Sequence, residues 1–357
     1  MKHIVNVFII FLINVDSFGQ CELKSETNFY ILGDIHLDDS YYKNTAKYID
    51  LMDNSVAFQK KLLNSLIDTG HVTNIIYENP ICLEYFYLKY FETGDSTYIS
   101  FMTDRQYEFK NIKMYAEVMR LNPTLNFTCI DIQNDIDPRL VLATLFLITF
   151  YEPNINKFEK GSTVDGFYSI YYKESYANIL NGIKLEIKDE LSILFDLYFK
   201  YGLKDSYFAK KKLKKDLNLW LKNLNMQKLE MLKNYLGPNF NYFCRIRDSY
   251  IETYKLPTND LKGREPFLVQ NIINCYSPDS KYYLHMGIAH VLNGYTSQNT
   301  AEDLMNKGFC FDSYYLFYYR WFAEYYPKEW FDIIEFKNEI GWPIFKLSDK
   351  NKICFID

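Results

Sequence analysis

From residue 28 onward the chain alternates between two hydrophobic rhythms. Short apolar runs that end in a polar residue or glycine read as buried strands, and longer stretches with apolar positions three and four apart read as amphipathic helices. Residues 28–32 predict a strand that leads into Gly33-Asp34-Ile35-His36. Residues 45–68 predict a helix, with Ile49, Met52, Val56, Leu63 and Leu66 near helical spacing and Gly70 closing it. A second strand over 72–77 delivers Glu78 at its carboxyl end, and Pro80 suits the start of the next helix. The rhythm then repeats. A helix over 108–120 stops near Pro123, a strand over 126–130 ends in Asp131-Ile132-Gln133, and the Asp137-Pro138 pair opens a helix reaching about Tyr151.

Alternation of this kind predicts an α/β fold with a mainly parallel central sheet flanked by helices on both faces. Residues 171–254 break the pattern, being rich in Leu, Lys and Tyr and poor in strand signals, and read as a helical insertion subdomain. No Gly-, Ser- or Pro-rich linker separates it, so residues 20–357 are expected to form a single domain. The strand pattern resumes at 281–286 and runs into Gly287-Ile288-Ala289-His290. A helix over 301–307, a strand over 311–318 and apolar runs at 342–347 and 353–356 follow.

The first nineteen residues do not belong to that rhythm. Lys2 and His3 precede an apolar stretch from 4 to 15, and Ser17 and Gly19 stand where a signal peptidase reads small residues. The order is that of a secretory leader, which predicts a secreted or periplasmic protein. The apolar stretch is too short for stable membrane insertion. Cys21 lacks the leucine and small residues expected before a lipidated cysteine.

Composition narrows the function classes. Hydrophobic residues make up 48% and charged residues 24% of the 357, an ordinary globular balance. With 40 basic and 45 acidic residues the formal charge is -5, so no global field draws a nucleic acid. The one basic cluster, Lys210, Lys211, Lys212, Lys214 and Lys215, reads as the solvated face of a helix. The seven cysteines are widely separated and form no CxxC pair, which leaves a zinc ribbon or thioredoxin-like site unsupported. Cys129, inside a strand, reads as a small hydrophobe.

The candidate chemistry lies in where the polar residues fall. His36, Glu78, Asp131 and His290 each follow a different expected strand, and the carboxyl ends of strands in a parallel sheet are where loops converge on ligands. Each also has a plain structural reading: Glu78 as a helix cap, His36 as a loop residue bonded to a carbonyl, Asp131 as a turn brace. Their joint placement favours a site. His285, within a strand, reads as a packing or edge residue. Arg264-Glu265-Pro266 opens a helix that puts Arg264, Phe267, Leu268 and Asn271 near one face, as a polar lining or a buried brace.

In this order the elements resemble those of the erythromycin esterase family and its wider bacterial relatives among uptake and toxin-like domains. Gly33-Asp34-Ile35-His36 is similar to that family's Gly-acid-x-x-His motif, with a tighter loop and Asp34 where Glu is usual. Glu78 matches its glutamate after the second strand, and residues 82–94 resemble the helix that follows. Ile130-Asp131-Ile132-Gln133 looks like its Asp-x-Gln element. Arg264-Glu265 with Asn271 resembles its Arg-Glu helix, and Ala289-His290 its late Ala-His element. The last continues as Val291-Leu292-Asn293-Gly294 without a further histidine.

The resemblance implies a hydrolase of an ester or lactone small molecule in which His36 is general base on water, with Glu78, Arg264, Glu265 and His290 completing the catalytic set. Glu78 would orient His36 or the water, Arg264 with His290 would face the developing oxyanion, and Glu265 would fix their geometry. Asp34, Glu108, Asp131, Gln133 and Asn271 are the expected supporting or substrate-binding residues. The absence of a Gly-x-Ser-x-Gly elbow argues against the serine-hydrolase route. Two alternatives stand beside this reading. His36, Glu78, Asp131 and His290 also suit a zinc or manganese site, though no HExxH pair supports one and no cofactor is expected. The chain also suits an exported small-molecule-binding protein without activity, its tyrosine-rich insertion shaping the pocket.

Overall fold

The computed structural model describes residues 27–34, 46–96, 98–99, 106–133, 137–150, 185–201, 204, 206–256, 261–287, 290–291, 299–318, 335–337, 343–346 and 351–356. In chain order these form β1 (Phe29–Asp34), α1 (Ala46–Gly70), β2 (Asn74–Pro80), α2 (Glu84–Thr93), α3 (Gln106–Leu121), β3 (Asn126–Asp131) and α4 (Pro138–Phe150). Four helices follow: α5 (Leu185–Tyr201), α6 (Tyr207–Lys222), α7 (Met226–Leu236) and α8 (Phe240–Thr253). The chain then returns to the sheet through α9 (Leu261–Cys275), β4 (Tyr282–Gly287), α10 (Thr300–Asn306) and β5 (Phe311–Tyr318), and ends in β6 (Glu335–Lys337), β7 (Pro343–Lys346) and β8 (Asn351–Ile356).

The eight strands form one sheet in the order β3-β2-β4-β1-β5-β8-β7-β6. β4 runs parallel to both β1 and β2, β1 parallel to β5, and β5 parallel to β8; only the β8-β7-β6 edge is antiparallel. This is an α/β fold with a mainly parallel sheet. The interior strands are near-continuous apolar runs because each is covered on both faces, and all six residues of β4 are buried.

Two compact units divide the chain, one holding residues 1–78, 105–130 and 261–357 and the other 79–104 and 131–260. In the first, alternate strand residues face opposite ways. Phe29, Ile31, Ile76, Ile130, Tyr282, Leu284 and Met286 form a core with Leu268, Val269 and Ile272 of α9 and Ala301 and Leu304 of α10. The opposite face sets Tyr77, His285 and Phe127 against Tyr115 of α3. Gly70 ends α1 where a Cβ would lie 2.9 Å from the end of the Tyr30 side chain, so a larger residue there would have to displace that ring.

The second unit contains the four helices between Leu185 and Thr253. Its side-chain caps are ordinary: Ser206 accepts from the Ala209 amide at the start of α6, and Asn225 from the Lys228 amide at the start of α7. Inside it, Phe146 of α4 stacks on Tyr198 of α5 at 4.4 Å between centroids, and Trp220 meets Phe243 edge to face. These aromatic rings fill the core of the unit. The expected leader over the first nineteen residues falls outside the described residues, as do His36, Ile288 and Ala289.

Candidate functional site

Four charged side chains converge where β2 and β4 end. Glu78 follows Tyr77 in β2 and points to the α9 face, the face of Ile76. Its Oε1 accepts a hydrogen bond from Arg264 Nη2 at 2.7 Å and lies 3.1 Å from His290 Nε2. Its Oε2 accepts the backbone N–H of Gly287, the last residue of β4, at 2.6 Å. Glu265 Oε1 bonds to His290 Nδ1, and its Oε2 accepts from Thr300 Oγ1. Asn299 holds Thr300 in place by capping α10, its side chain accepting the Glu302 amide at 2.7 Å. Glu78, Glu265 and His290 are buried; Arg264, with 14% of its side chain exposed, is the most open of the four.

The electrostatics follow from this geometry. Burial alone would lower the His290 pKa, but the Glu78 charge and the bonds to Glu265 and Glu78 outweigh it and push the pKa up to about 10. His290 is therefore an imidazolium near neutrality, with each ring nitrogen turned to a carboxylate. Two carboxylates and two cations compensate one another in a nearly water-free setting. Such a histidine cannot serve as a base. Its N–H groups turn to Glu78 and Glu265, whereas the family resemblance implies a share for it in facing the oxyanion.

The remaining sequence candidates fall in several places. Asp34, the last residue of β1, is fully buried and points away from the Glu78 group, to the opposite sheet face. One of its oxygens, Oδ2, accepts from Tyr107 Oη at 2.5 Å and lies 3.0 Å from His285 Nε2, without the alignment of a hydrogen bond. His285 Nδ1 bonds to Tyr115 Oη at 2.6 Å. Tyr107 Oη also takes Gln59 Nε2 at 2.7 Å and bonds Ser55 Oγ at 2.9 Å, so α1 and α3 both feed this cluster. His285 thus lies in an interior strand within a polar network, not at an edge.

Glu108 lies in the first turn of α3, and its charge helps burial hold the Tyr77 hydroxyl protonated. Asn271 donates from Nδ2 to the Ile130 carbonyl at 2.7 Å, tying α9 to β3. Asp131 accepts its neighbour's amide, that of Ile132, at 2.6 Å, and Gln133 donates to the Ile246 carbonyl at 2.9 Å. Thr300 and His285, like Tyr107, Tyr115, Ser55, Gln59 and Asn299, are polar residues of these clusters that sequence reasoning did not assign to a site. The signal for His285 was a histidine in a run where every neighbour is buried; Thr300 gave none.

Among the described residues, no group of three or more His, Cys, Asp or Glu side chains is placed to hold a metal ion. Within the Glu78 group, Arg264 and His290 engage one oxygen of each carboxylate, and the Gly287 amide and the Thr300 hydroxyl take the other.

The fold is similar to that of a mutant of the erythromycin esterase EreC in its open conformation. Identity is 14% over 82% of this chain and 70% of that one, with a TM-score of 0.45. A Bacillus cereus protein gives 13% identity over 86% of this chain and 69% of its own, with a TM-score of 0.46. No protein-family model and no curated protein matches the sequence.

Proposed function

We propose that the chain is an exported hydrolase of a small ester or lactone, with His36 as the general base. The observation that carries this reading is the charge-compensated group of Glu78, Arg264, Glu265 and His290 at the carboxyl end of the parallel strands. Burying four charges is costly against an apolar packing of the same volume, so a purely structural brace is a poor use of them. The carboxyl end of a parallel sheet is also where such groups act. β1 supports the same place: Asp34 is level with Gly287, whose amide Glu78 holds, and His36 follows Asp34 by two residues.

In this mechanism His36 takes a proton from water, and the oxygen adds to the substrate carbonyl. Arg264, the least buried of the group and rich in N–H donors, faces the oxyanion. Collapse of the intermediate breaks the acyl C–O bond, and protonated His36 returns its proton to the departing alkoxide. Glu78 fixes the Arg264 guanidinium, while Glu265 and His290 hold Glu78 and so act as positioning residues.

The test is a panel of esters and lactones turned over by wild type and by His36→Ala, each with and without chelator. The expected outcome is turnover by wild type, unaffected by chelation, and a fall of at least about a hundredfold in the variant. Equal background rates in all four samples overturn the hydrolase reading. Loss on chelation alone replaces it with a metal-assisted one. Export is checked separately: the mature protein from its native host should begin near Gln20 or Cys21, and a retained Met1 refutes it.

A further inference from the structure

The lysines at 210, 211, 212, 214 and 215 have no part in the hydrolytic reading, and the structure divides them. Lys210 pairs with Asp137 at 3.0 Å, and Lys214 lies 5.9 Å from the ring centroid of Tyr254. Lys211, Lys212 and Lys215 are exposed on the outside of α6. At about 100° per residue, Phe208, Lys211, Lys212, Lys215, Leu219 and Lys222 fall within a band roughly 100° wide. The buried Leu213, Leu217, Trp220 and Leu221 occupy the opposite side. Asp216, the only acid in the helix, lies off the band and accepts the Tyr201 hydroxyl at 2.5 Å.

The apolar members of this surface are as open as the lysines. Phe208 is 80% exposed and Leu219 56%; Tyr207, beside Phe208, is 71% exposed, and Met226, which opens α7, 82%. These are four of the six large hydrophobic residues that the described part of the chain exposes, so exposed apolar surface is concentrated on this one stretch. Single scattered apolar residues need no explanation, but an acid-free band that alternates aromatic, leucine and lysine does.

We propose that the outer face of α6 docks on an anionic phospholipid surface. The interleaving of charge with apolar groups selects this partner. A protein interface would gather its apolar groups in a centre depleted of lysine. A nucleic-acid backbone would engage the lysines and leave Phe208 and Leu219 facing water. A headgroup layer takes both at once, since aromatic rings lodge at the boundary with the acyl chains while lysine stems carry their charge up to the phosphates. The attachment is peripheral, because no helix among the described residues is long and apolar enough to cross a membrane.

The experiment is co-sedimentation of the full chain with phosphatidylcholine vesicles, with and without phosphatidylglycerol. Binding is expected only to the anionic vesicles and should weaken as salt is raised. Each lysine contributes about fivefold in partitioning, so reversing Lys211, Lys212 and Lys215 to Glu should lower binding by about a hundredfold or more. Phe208→Ser with Leu219→Ser should lower it by about tenfold while the salt dependence remains. Circular dichroism of both variants should match wild type, since every altered side chain faces solvent. Three results overturn the proposal: no preference for anionic vesicles, anionic binding that survives the lysine reversal, or binding that the Phe208 and Leu219 changes leave untouched, which would indicate a general polyanion site.

Discussion

On its two faces the same group of parallel strands buries polar residues in two different ways. On the α9 side, Glu78, Glu265, Arg264 and His290 answer charge with charge through three contacts between ions of opposite sign, with the Gly287 amide and the Thr300 hydroxyl taking the second oxygen of each carboxylate. On the α1 and α3 side, Asp34 and His285 are surrounded by hydroxyls and an amide from Tyr107, Tyr115, Ser55 and Gln59. Two phenols there stay neutral: burial raises the Tyr115 and Tyr283 pKa values well above the usual range, helped at Tyr115 by the neighbouring Tyr283 and Tyr77 and at Tyr283 by the Asp34 charge. Neutral hydroxyls can be removed singly with modest loss. An ion in the other cluster cannot be removed without stranding its partners. The first arrangement is a locked set of charges at the end of the strands; the second is a hydrogen-bonded lining beneath one of them.

The sharpest way to break this contrast is to remove its central carboxylate. Glu78→Ala removes the carboxylate that Arg264, His290 and the Gly287 amide share, and should destabilise the protein by about 3–5 kcal/mol in urea denaturation at neutral pH. A loss near that of an exposed ion pair would mean that the four charges are not coupled.

A pH series sharpens the same point. The His290 pKa is raised from its ordinary 6.5 to about 10, so the stability it contributes is complete below the unfolded value and is lost as pH rises through the folded one. Wild type should therefore weaken, by a few kcal/mol, between about pH 6.5 and 10. His290→Asn should flatten that slope, and an unchanged slope would place the titration elsewhere.

On the hydroxyl side the effects should be smaller. Asp34→Asn keeps an oxygen for the Tyr107 hydroxyl but loses the charge beside His285, and should cost about 1–3 kcal/mol. Tyr107→Phe should cost about 1–2 kcal/mol, read as a shift in the urea midpoint. Should either exceed the Glu78→Ala loss, the comparison is reversed.

Much of the fold was legible because buried strands are uninterrupted apolar runs. The runs at 28–32 and 281–286 locate β1 and β4, and only their ends differ. Gly33-Asp34 and Gly287 extend the strands because parallel pairing sets Gly33 against Met286 and Asp34 against Gly287. Pro80, expected to open a helix, instead ends β2 in an extended conformation, and a short turn over Ile81–Leu83 comes before α2. Pro266 suggested a helix start, yet α9 begins at Leu261 and carries the proline inside. Thr258-Asn259-Asp260, just ahead of Leu261 in the sequence, are cap-type residues, and a proline in the early turns removes only one hydrogen bond.

Glu78, Arg264, Glu265 and His290 could be picked out because charged residues at strand ends and on an apolar helix face are conspicuous. Their pairing could not, since it depends on β4 entering between β2 and β1. The charge of His290 depends in turn on that pairing. The second cluster was hidden for a different reason. Asp34 and His285 take their partners from helices, and Tyr107 and Tyr115 are two among 33 tyrosines.

The strand order also governs when the sheet can be made. β1 has β4 and β5 as its neighbours, so Phe29 finds no partner until Tyr282 has been synthesised, roughly 250 residues later. At about 5–20 residues per second, the first strand waits on the order of tens of seconds with both edges open. Its apolar sequence, Phe29-Tyr30-Ile31-Leu32, is a segment that other nascent chains could pair with in that interval. The yield of folded protein is thus set by what shields residues 29–32 until β4 arrives, and slowing elongation before residue 282 should increase aggregation more than slowing it afterwards.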